Sequence, residues 1–249
     1  DLNMPGVTAD PTVVMEAVAN GELTEEELDQ NVARILELAE TYAAPECYDM
    51  SAQYIMDMSK QAAYKTACEG IVMLKNENDI FPIQAKSKAG SVSVFETAVE
   101  DDLLSGVVLC GSGAIRLYDC STGSAGITTD KDSSIYEGLI QNGVEVSIGI
   151  PAAGKRAGIS TYICVARIPG MEGNDRKNMK LSAEDAQILN QMLDLKRENP
   201  LVKLGLILNV SGPVDLALWE HELDGIFCMF LPGMEGGHAM ADILTGRVN

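Results

Sequence analysis

Residues 161–168 read Thr161-Tyr-Ile-Cys-Val-Ala-Arg-Ile168, a near-continuous apolar run rich in β-branched side chains. A second run of this kind, Lys203-Leu-Gly-Leu-Ile-Leu-Asn-Val210, follows a segment with helical spacing at about Ala183–Glu198. Strands that are apolar throughout are typical of parallel sheets, because helices cover both faces of such sheets. Residues 161–210 therefore predict a β-α-β unit within an α/β fold.

The same alternation of strands and helices continues on both sides of this unit. It predicts a mostly parallel sheet flanked by helices, an α/β sandwich. In such sheets the loops that follow the strands meet at one edge, where ligands bind. The further predicted strands are Ser91–Phe95, Val107–Gly111, Val144–Ile150 and Gly225–Leu231, and the further helices are about Ser134–Gln141, Val214–His221 and Gly237–Thr245.

The N-terminal part of the chain is helical and carries no strand pattern. A Pro/Gly turn is followed by two helices, the second from about Thr24 to Tyr42, where Thr24 and Glu27 form a capping-box pattern. A third helix is predicted for about Ser51–Leu74, from apolar side chains at helical spacing. These helices indicate a connector that precedes the α/β domain.

Charge and hydropathy exclude several classes of partner. The chain has 249 residues, with 18 Lys plus Arg against 37 Asp plus Glu, which gives a net charge of −19. Such a surface repels polyphosphate backbones and anionic lipid, so nucleic acid and membranes are not expected partners. No segment approaches the roughly 20 apolar residues that span a bilayer.

The cysteines indicate reduced thiols rather than a metal site. The 6 cysteines are scattered, without a Cys-x-x-Cys pair or a histidine at zinc-finger spacing. Cys110, Cys164 and Cys228 each lie in an apolar strand-like run, where a buried thiol acts as a small apolar side chain. This pattern favours a cytoplasmic location, and we expect no bound metal.

A glycine-rich loop follows the run at Val107–Gly111. The Gly111-x-Gly113 pattern suggests dinucleotide binding, but that fingerprint needs a third glycine where Arg116 stands, so NAD is rejected. No lysine follows in the manner of a phosphate-binding loop. From local pattern alone, the stretch Ser121–Gly126 is as consistent with a plain surface loop as with a ligand loop.

A second loop, Arg167–Arg176, combines two acids and two guanidinium groups with glycines. A carboxylic acid on a glycine-flanked loop can donate a proton to a glycosidic oxygen, and Glu172 is the better placed candidate. The alternative is a loop carboxylate that pairs with Arg167 or Arg176 for structure alone.

The histidines do not indicate a nucleophilic triad. His221 and His238 are far apart and accompany no Gly-x-Ser-x-Gly motif, so both are interpreted as structural. Glu235 precedes a predicted helix, where an acid interacts favourably with the helix dipole.

Taken together, these motifs resemble glycoside hydrolase family 3, the β-glucosidase-like enzymes. The resemblance covers nearly the whole chain, and its motifs occur in the family's order. They are Asp1-Leu-Asn-Met-Pro-Gly6, Asn31-Val-Ala-Arg-Ile-Leu36, Glu69-Gly-Ile-Val-Met-Leu-Lys-Asn76, Thr122-Gly-Ser-Ala-Gly126, Glu172-Gly-Asn-Asp-Arg176 and Pro232-Gly-Met-Glu-Gly-Gly237. The chain departs from the family pattern at Asn3, Ser121 and Ala125.

The resemblance implies a domain organisation: residues 1–49 match the end of the family's barrel domain and a helical linker, and residues 50–249 match its C-terminal α/β sandwich. It also implies a retaining exo-β-glycosidase whose nucleophile, an aspartate of the barrel, lies outside this chain. The chain alone is then expected to be inactive.

Site residues are implied in the same way. Glu172 would act as proton donor, and Thr122, Ser124, Asp175 and Arg176 would line the sugar site, with no cofactor. The expected partners are a β-glycoside substrate and the barrel domain. The rival hypothesis is a non-catalytic α/β domain that binds carbohydrate or a partner protein.

Overall fold

The computed structural model describes residues 10–43, 53–83, 106–114, 117, 133–149, 161–168, 170, 173 and 175–248. The chain divides into two compact units, Asp1–Ala52 and Gln53–Asn249. Within the described ranges, all strands belong to the second unit. No helix in these ranges is long and apolar enough to span a bilayer.

The first unit contains helices α1 (Pro11–Ala19) and α2 (Glu25–Tyr42). The hydroxyl of Thr24 accepts a hydrogen bond from the Glu27 amide at 3.2 Å, and the Glu27 carboxylate accepts one from the Thr24 amide at 3.0 Å. This confirms the predicted capping box. No residue of either helix is fully buried among those described.

The second unit is built from six strands and four helices in its described ranges. The helices are α3 (Gln53–Gly70), α4 (Ile135–Gln141), α5 (Ala183–Glu198) and α6 (Gly236–Leu244). The strands are β1 (Val72–Asn76), β2 (Gly106–Cys110), β3 (Glu145–Ile148), β4 (Thr161–Ile168), β5 (Lys203–Val210) and β6 (Gly225–Cys228).

The strands form one sheet in the order β1-β6-β5-β4-β2-β3. Only β1 is antiparallel to its neighbour, and the other five strands are parallel. The longest pairing joins β4 to β5 over their full length, from Thr161 opposite Lys203 to Ile168 opposite Val210. The carboxyl ends of the five parallel strands therefore meet at one edge, as the sequence predicts.

Alternation along the strands divides the core between the two faces of the sheet. In β4, Tyr162 and Cys164 pack with Leu189 of α5 on one face. Ile163 and Val165 of the same strand pack on the other face, with Met240 of α6. Because both faces are buried, apolar side chains occupy successive positions of the strand, which explains the near-continuous run in the sequence.

The predicted burial of three thiols is confirmed. Cys110, Cys164 and Cys228 are 2%, 0% and 8% exposed, and all three are reduced. Cys110 and Cys164 stand side by side on paired strands. The neighbouring thiol of Cys110, together with burial, raises the pKa of Cys164 well above its usual value, so this thiol stays protonated.

The prediction that the third helix continues to Leu74 is wrong. The helix ends at Gly70, and Val72–Asn76 forms the edge strand β1, in which Val72 is opposite Cys228 of β6. A short apolar run is compatible with either structure from periodicity alone. Here the edge of β6 that faces away from β5 supplies the pairing that selects a strand.

Two other predictions near the C-terminus are corrected. The predicted helix Val214–His221 is absent: the segment is irregular up to Leu216 and forms turns from Ala217, and β6 stops at Cys228 rather than Leu231. The strand cannot extend to Leu231, because Phe230 has a φ of +49°, which strand geometry does not allow. The predicted strand Ser91–Phe95 lies outside the described residues.

Candidate functional site at the carboxyl edge of the sheet

The chain leaves β2 through a tight turn that passes over the end of β4. The Gly113 amide donates to the Val165 carbonyl at 2.8 Å. Gly111 has a φ of +93°, and a Cβ at this position would lie 2.6 Å from the Val165 oxygen. A Cβ at Gly113 would lie 2.8 Å from Val165 Cγ1. Both glycines are therefore required by close approach of the two segments.

Ser112, between these glycines, contacts a fully buried carboxylate. Asp185 lies in the first turn of α5 and is 0% exposed. Its Oδ1 accepts from the Ser112 amide at 2.8 Å, and its Oδ2 accepts from the Ser112 hydroxyl, also at 2.8 Å. The Ser112 hydroxyl in turn accepts from the Arg167 amide near the end of β4 at 2.9 Å.

The helix cap completes this cluster. Ser182 is the N-cap of α5, and its hydroxyl donates to Asp185 Oδ2 at 2.8 Å while accepting from the Asp185 amide at 3.0 Å. The Asp185 carboxylate thus joins the turn after β2 to the start of α5, and through Ser112 to β4. We call Ser112, Arg167, Ser182 and Asp185 the carboxylate clamp.

Arg176 connects the loop after β4 to the loop after β5. Its Nη2 donates to the Pro213 carbonyl at 2.6 Å. The side chain is half-buried, and its Nη1 atom is buried without a hydrogen-bond partner among the described residues. The neighbouring Asp175 is exposed. A guanidinium group held in this way fixes the C-terminal end of the Glu172 loop.

The ends of β5 and β6 are also joined. The buried side chain of Asn209 donates from Nδ2 to the Phe230 carbonyl at 2.7 Å. Phe230 is 49% exposed and keeps its positive φ at this point. A bulky residue in the left-handed region is uncommon and is maintained only where the surroundings hold it in place.

The fourth loop of this edge carries an acid and a histidine in contact. Glu235 Oε2 lies 2.8 Å from His238 Nδ1, and their side chains are 15% and 34% exposed. Glu235 occupies the N-cap position of α6 but makes no cap hydrogen bond with its side chain. The Ser133 hydroxyl accepts from the Gly237 amide at 2.9 Å and donates to the Met234 carbonyl.

Of the residues predicted for the site, the structure describes Asp175 and Arg176 at this edge. Glu172, Thr122 and Ser124 lie outside the described residues. No three His, Cys, Asp or Glu side chains in the described ranges come together as metal ligands would.

Four residues of this edge were not predicted from the sequence: Ser112, Asp185, Asn209 and Phe230. A local signal existed for Asp185, since Ser182-x-x-Asp185 is a helix-start pattern. The contact between Asp185 and Ser112 leaves no comparable pattern in the sequence.

Comparison with known proteins places the chain in a family. Residues 71–249 match the model of the glycosyl hydrolase family 3 C-terminal domain. The chain is 30% identical over 259 residues to the thermostable beta-glucosidase B of Acetivibrio thermocellus, which covers 100% of this chain and 32% of that protein. It is 24% identical over 267 residues to the exo-alpha-(1->6)-L-arabinopyranosidase of Bifidobacterium breve, with 100% and 33% covered.

Solved structures show the same fold. The beta-glucosidase 3B of Thermotoga neapolitana, in complex with glucose, superposes with a TM-score of 0.71 at 22% identity, over 95% of this chain and 36% of that one. A beta-glucosidase of Bifidobacterium adolescentis gives 0.68 at 23% identity, over 98% and 35%. The chain spans about a third of the length of the curated relatives it matches. By the match over residues 71–249, the chain belongs to glycosyl hydrolase family 3 and contains its C-terminal domain.

Proposed function

We propose that this chain is the second domain of a retaining exo-β-glycosidase and supplies the acid/base residue and part of the sugar pocket. One observation carries the proposal. Strand β4 ends at Ile168, at the carboxyl edge of the sheet, and Arg176, the last residue of the sequence Glu172-Gly-Asn-Asp-Arg176, donates a hydrogen bond to the Pro213 carbonyl. An acid on such a loop is attached to a rigid scaffold, as proton transfer to a bound sugar requires.

The reaction needs two carboxyl groups on opposite sides of the scissile bond. In the proposed mechanism an aspartate of a barrel domain attacks the anomeric carbon, and Glu172 protonates the departing glycosidic oxygen. Glu172 then takes a proton from water, which hydrolyses the glycosyl-enzyme intermediate and regenerates both groups. In retaining enzymes the two carboxyl groups stand about 5 Å apart, so the barrel would face the carboxyl edge.

The sugar pocket is proposed to include Thr122, Ser124, Asp175 and Arg176. Hydroxyl, carboxylate and guanidinium groups are the donors and acceptors that sugar hydroxyls need. The exposure of Asp175, next to the anchored Arg176, supports a contact between the Asp175 carboxylate and a sugar hydroxyl.

The chain alone is proposed to be inactive. It spans about a third of the relatives' length, and a pocket shared with a barrel would be incomplete without that barrel. The relatives include beta-glucosidases and arabinopyranosidases, so we propose β-glucosides as the first substrates to test, followed by arabinopyranosides.

The test measures hydrolysis of p-nitrophenyl glycosides by the full-length polypeptide that contains this chain. Glu172→Ala is expected to lower turnover by about 100-fold or more, which is the usual contribution of a general acid. Azide should partly restore turnover with good leaving groups, because it needs no proton removed before it attacks. The exposed Glu184 provides the control Glu184→Ala, which should behave as the unsubstituted protein.

Unchanged turnover in Glu172→Ala would sink the assignment of the proton donor. If turnover were unchanged in that variant and this chain bound glycosides on its own, the non-catalytic carbohydrate-binding function would replace the catalytic one.

A further inference from the structure

The carboxylate clamp joins the starting points of the two loops that carry the proposed site residues. Ser112 lies at the beginning of the loop after β2, which contains Thr122 and Ser124. Arg167 is the penultimate residue of β4, five positions before Glu172. The Ser112 hydroxyl accepts from the Arg167 amide at 2.9 Å, so one side chain connects both starting points.

The Asp185 carboxylate holds that side chain in place. Its two oxygens accept three hydrogen bonds at 2.8 Å, two from Ser112 and one from Ser182. The Asp185 side chain is fully buried. A buried carboxylate is costly unless its hydrogen bonds are satisfied, so these three hydrogen bonds restrain the clamp.

The surrounding backbone restricts the clamp further. The glycines on both sides of Ser112 approach the end of β4 so closely that a Cβ at either position would overlap Val165. The Gly113 amide also donates to the Val165 carbonyl. The turn after β2 and the end of β4 are therefore one rigid unit with the first turn of α5.

We propose that Asp185 and Ser112 are positioning residues for the hydrolytic reaction, which fix the start of the Glu172 loop and hence the position of its carboxyl group at the glycosidic oxygen. The inference rests on the proposed function of Glu172. In this proposal both residues act through the Arg167 amide, which donates to the Ser112 hydroxyl, and through the turn at Gly111–Gly113.

This role has a kinetic signature that a general loss of stability does not share. The value of kcat/KM reports the first step, in which the leaving group departs. A phenolate of low basicity, such as 2,4-dinitrophenolate, departs without protonation, whereas phenolate itself needs the acid. A displaced Glu172 therefore slows hydrolysis of the phenyl glycoside selectively.

The experiment compares the phenyl and 2,4-dinitrophenyl β-glucosides in the full-length polypeptide that contains this chain. Ser112→Ala removes the hydroxyl but leaves Asp185 its bonds from the Ser112 amide and from Ser182. It is expected to lower kcat/KM about tenfold for the phenyl glucoside and less than about twofold for the dinitrophenyl glucoside, since small displacements of a catalytic group have effects of this size. Asp185→Asn should show the same selectivity with a larger loss.

The matched control is Asp194→Asn, which makes the same chemical change on the same helix at a side chain that is 67% exposed. It should leave both substrates unaffected. Equal losses on the two glucosides, or no loss in Ser112→Ala, would overturn the positioning role while Glu172→Ala remains impaired. Unimpaired turnover in Glu172→Ala would instead overturn the proposed function, and the positioning role together with it.

Discussion

Lys196 Nζ and Asp224 Oδ1 lie 2.7 Å apart, at the amino edge of the sheet and opposite the candidate site. The Asp224 side chain is 3% exposed and also accepts hydrogen bonds from the Leu204 amide at 2.7 Å and from Asn78 Nδ2 at 2.6 Å. The pair connects the last turn of α5 with the residue that precedes β6.

Replacement of Lys196 by alanine should destabilise the protein, because it leaves a buried carboxylate without its cation. We expect the free energy of unfolding to fall by about 3 kcal/mol, measured from urea unfolding curves. The neighbouring Arg197 provides the control, since its ion pair with Asp194 is 61% and 67% exposed. Arg197→Ala should lower the free energy of unfolding by less than about 1 kcal/mol, and equal effects of the two variants would contradict the prediction.

Gly111→Ala should disrupt the turn after β2. The substitution places a Cβ 2.6 Å from the Val165 oxygen, at a residue whose φ of +93° disfavours any side chain. We expect a loss of about 3 kcal/mol in the free energy of unfolding, from strain and overlap together. Gly233 has a similar φ of +75° but no atom within 4 Å of its Cβ position, so Gly233→Ala should show the strain alone, about 1 kcal/mol. Similar losses in both variants would mean that the backbone near Val165 shifts to accept the new Cβ without a measurable loss of stability, and would contradict the prediction.

Tyr64 should make stability depend on alkaline pH. Burial, and then the hydrogen bond from its hydroxyl to Asp242 Oδ2 at 2.6 Å, raise the pKa of Tyr64 above its usual value. The folded protein therefore holds this proton more tightly than the unfolded chain does. The resulting stability is fully present below the unfolded pKa of about 10 and is lost as the pH rises above it.

Tyr64→Phe should accordingly lower the free energy of unfolding by about 1 kcal/mol at neutral pH. The difference from the unsubstituted protein should shrink above about pH 10, as measured by unfolding at a series of pH values. Tyr54 lies on the same helix and is 63% exposed, so Tyr54→Phe is the control. If the difference in the free energy of unfolding stayed constant to high pH, the hydroxyl proton of Tyr64 would not be the source of the stabilisation.

Arg176→Ala should weaken substrate binding in the full-length polypeptide. The guanidinium group anchors the Glu172 loop to the Pro213 carbonyl and is proposed to contact the sugar. Loss of one charge-assisted hydrogen bond to a substrate corresponds to about a tenfold increase in KM, measured with p-nitrophenyl β-glucoside. The exposed Lys180, on the same loop, should tolerate Lys180→Ala without effect. An unchanged KM in Arg176→Ala would mean that Arg176 anchors the loop but does not contact the sugar.

The parts of the fold that follow from local pattern were predictable to the residue. The bounds of β4, β5 and α5 agree with the predicted Thr161–Ile168, Lys203–Val210 and Ala183–Glu198. In these segments the burial of both strand faces and the helix cap at Ser182 both leave a signal in the sequence.

The parts that depend on distant partners were not predictable in this way. Val72–Asn76 becomes a strand only because β6 lies beside it, and Val214–His221 does not form a helix although its spacing is compatible with one. At the site, the loops could be placed at the carboxyl edge from topology. The contact between Ser112 and Asp185 could not, because it joins two segments whose separation in sequence hides their proximity.

The pairing of β1 with β6 joins the first and the last of the six strands in the chain, which makes it a long-range contact of the kind that forms slowly. The unit β4-α5-β5 brings together segments that are close in sequence, so it can form early and at little entropic cost. Strand β1 has to wait for β6, which is synthesised last of the six strands. Until then Val72, Met73 and Leu74, which are exposed even in the folded domain, are free to pair with other chains. Expression of the protein in cells grown slowly at low temperature should therefore raise the yield of folded protein, because fewer chains then pair through β1 before β6 is available.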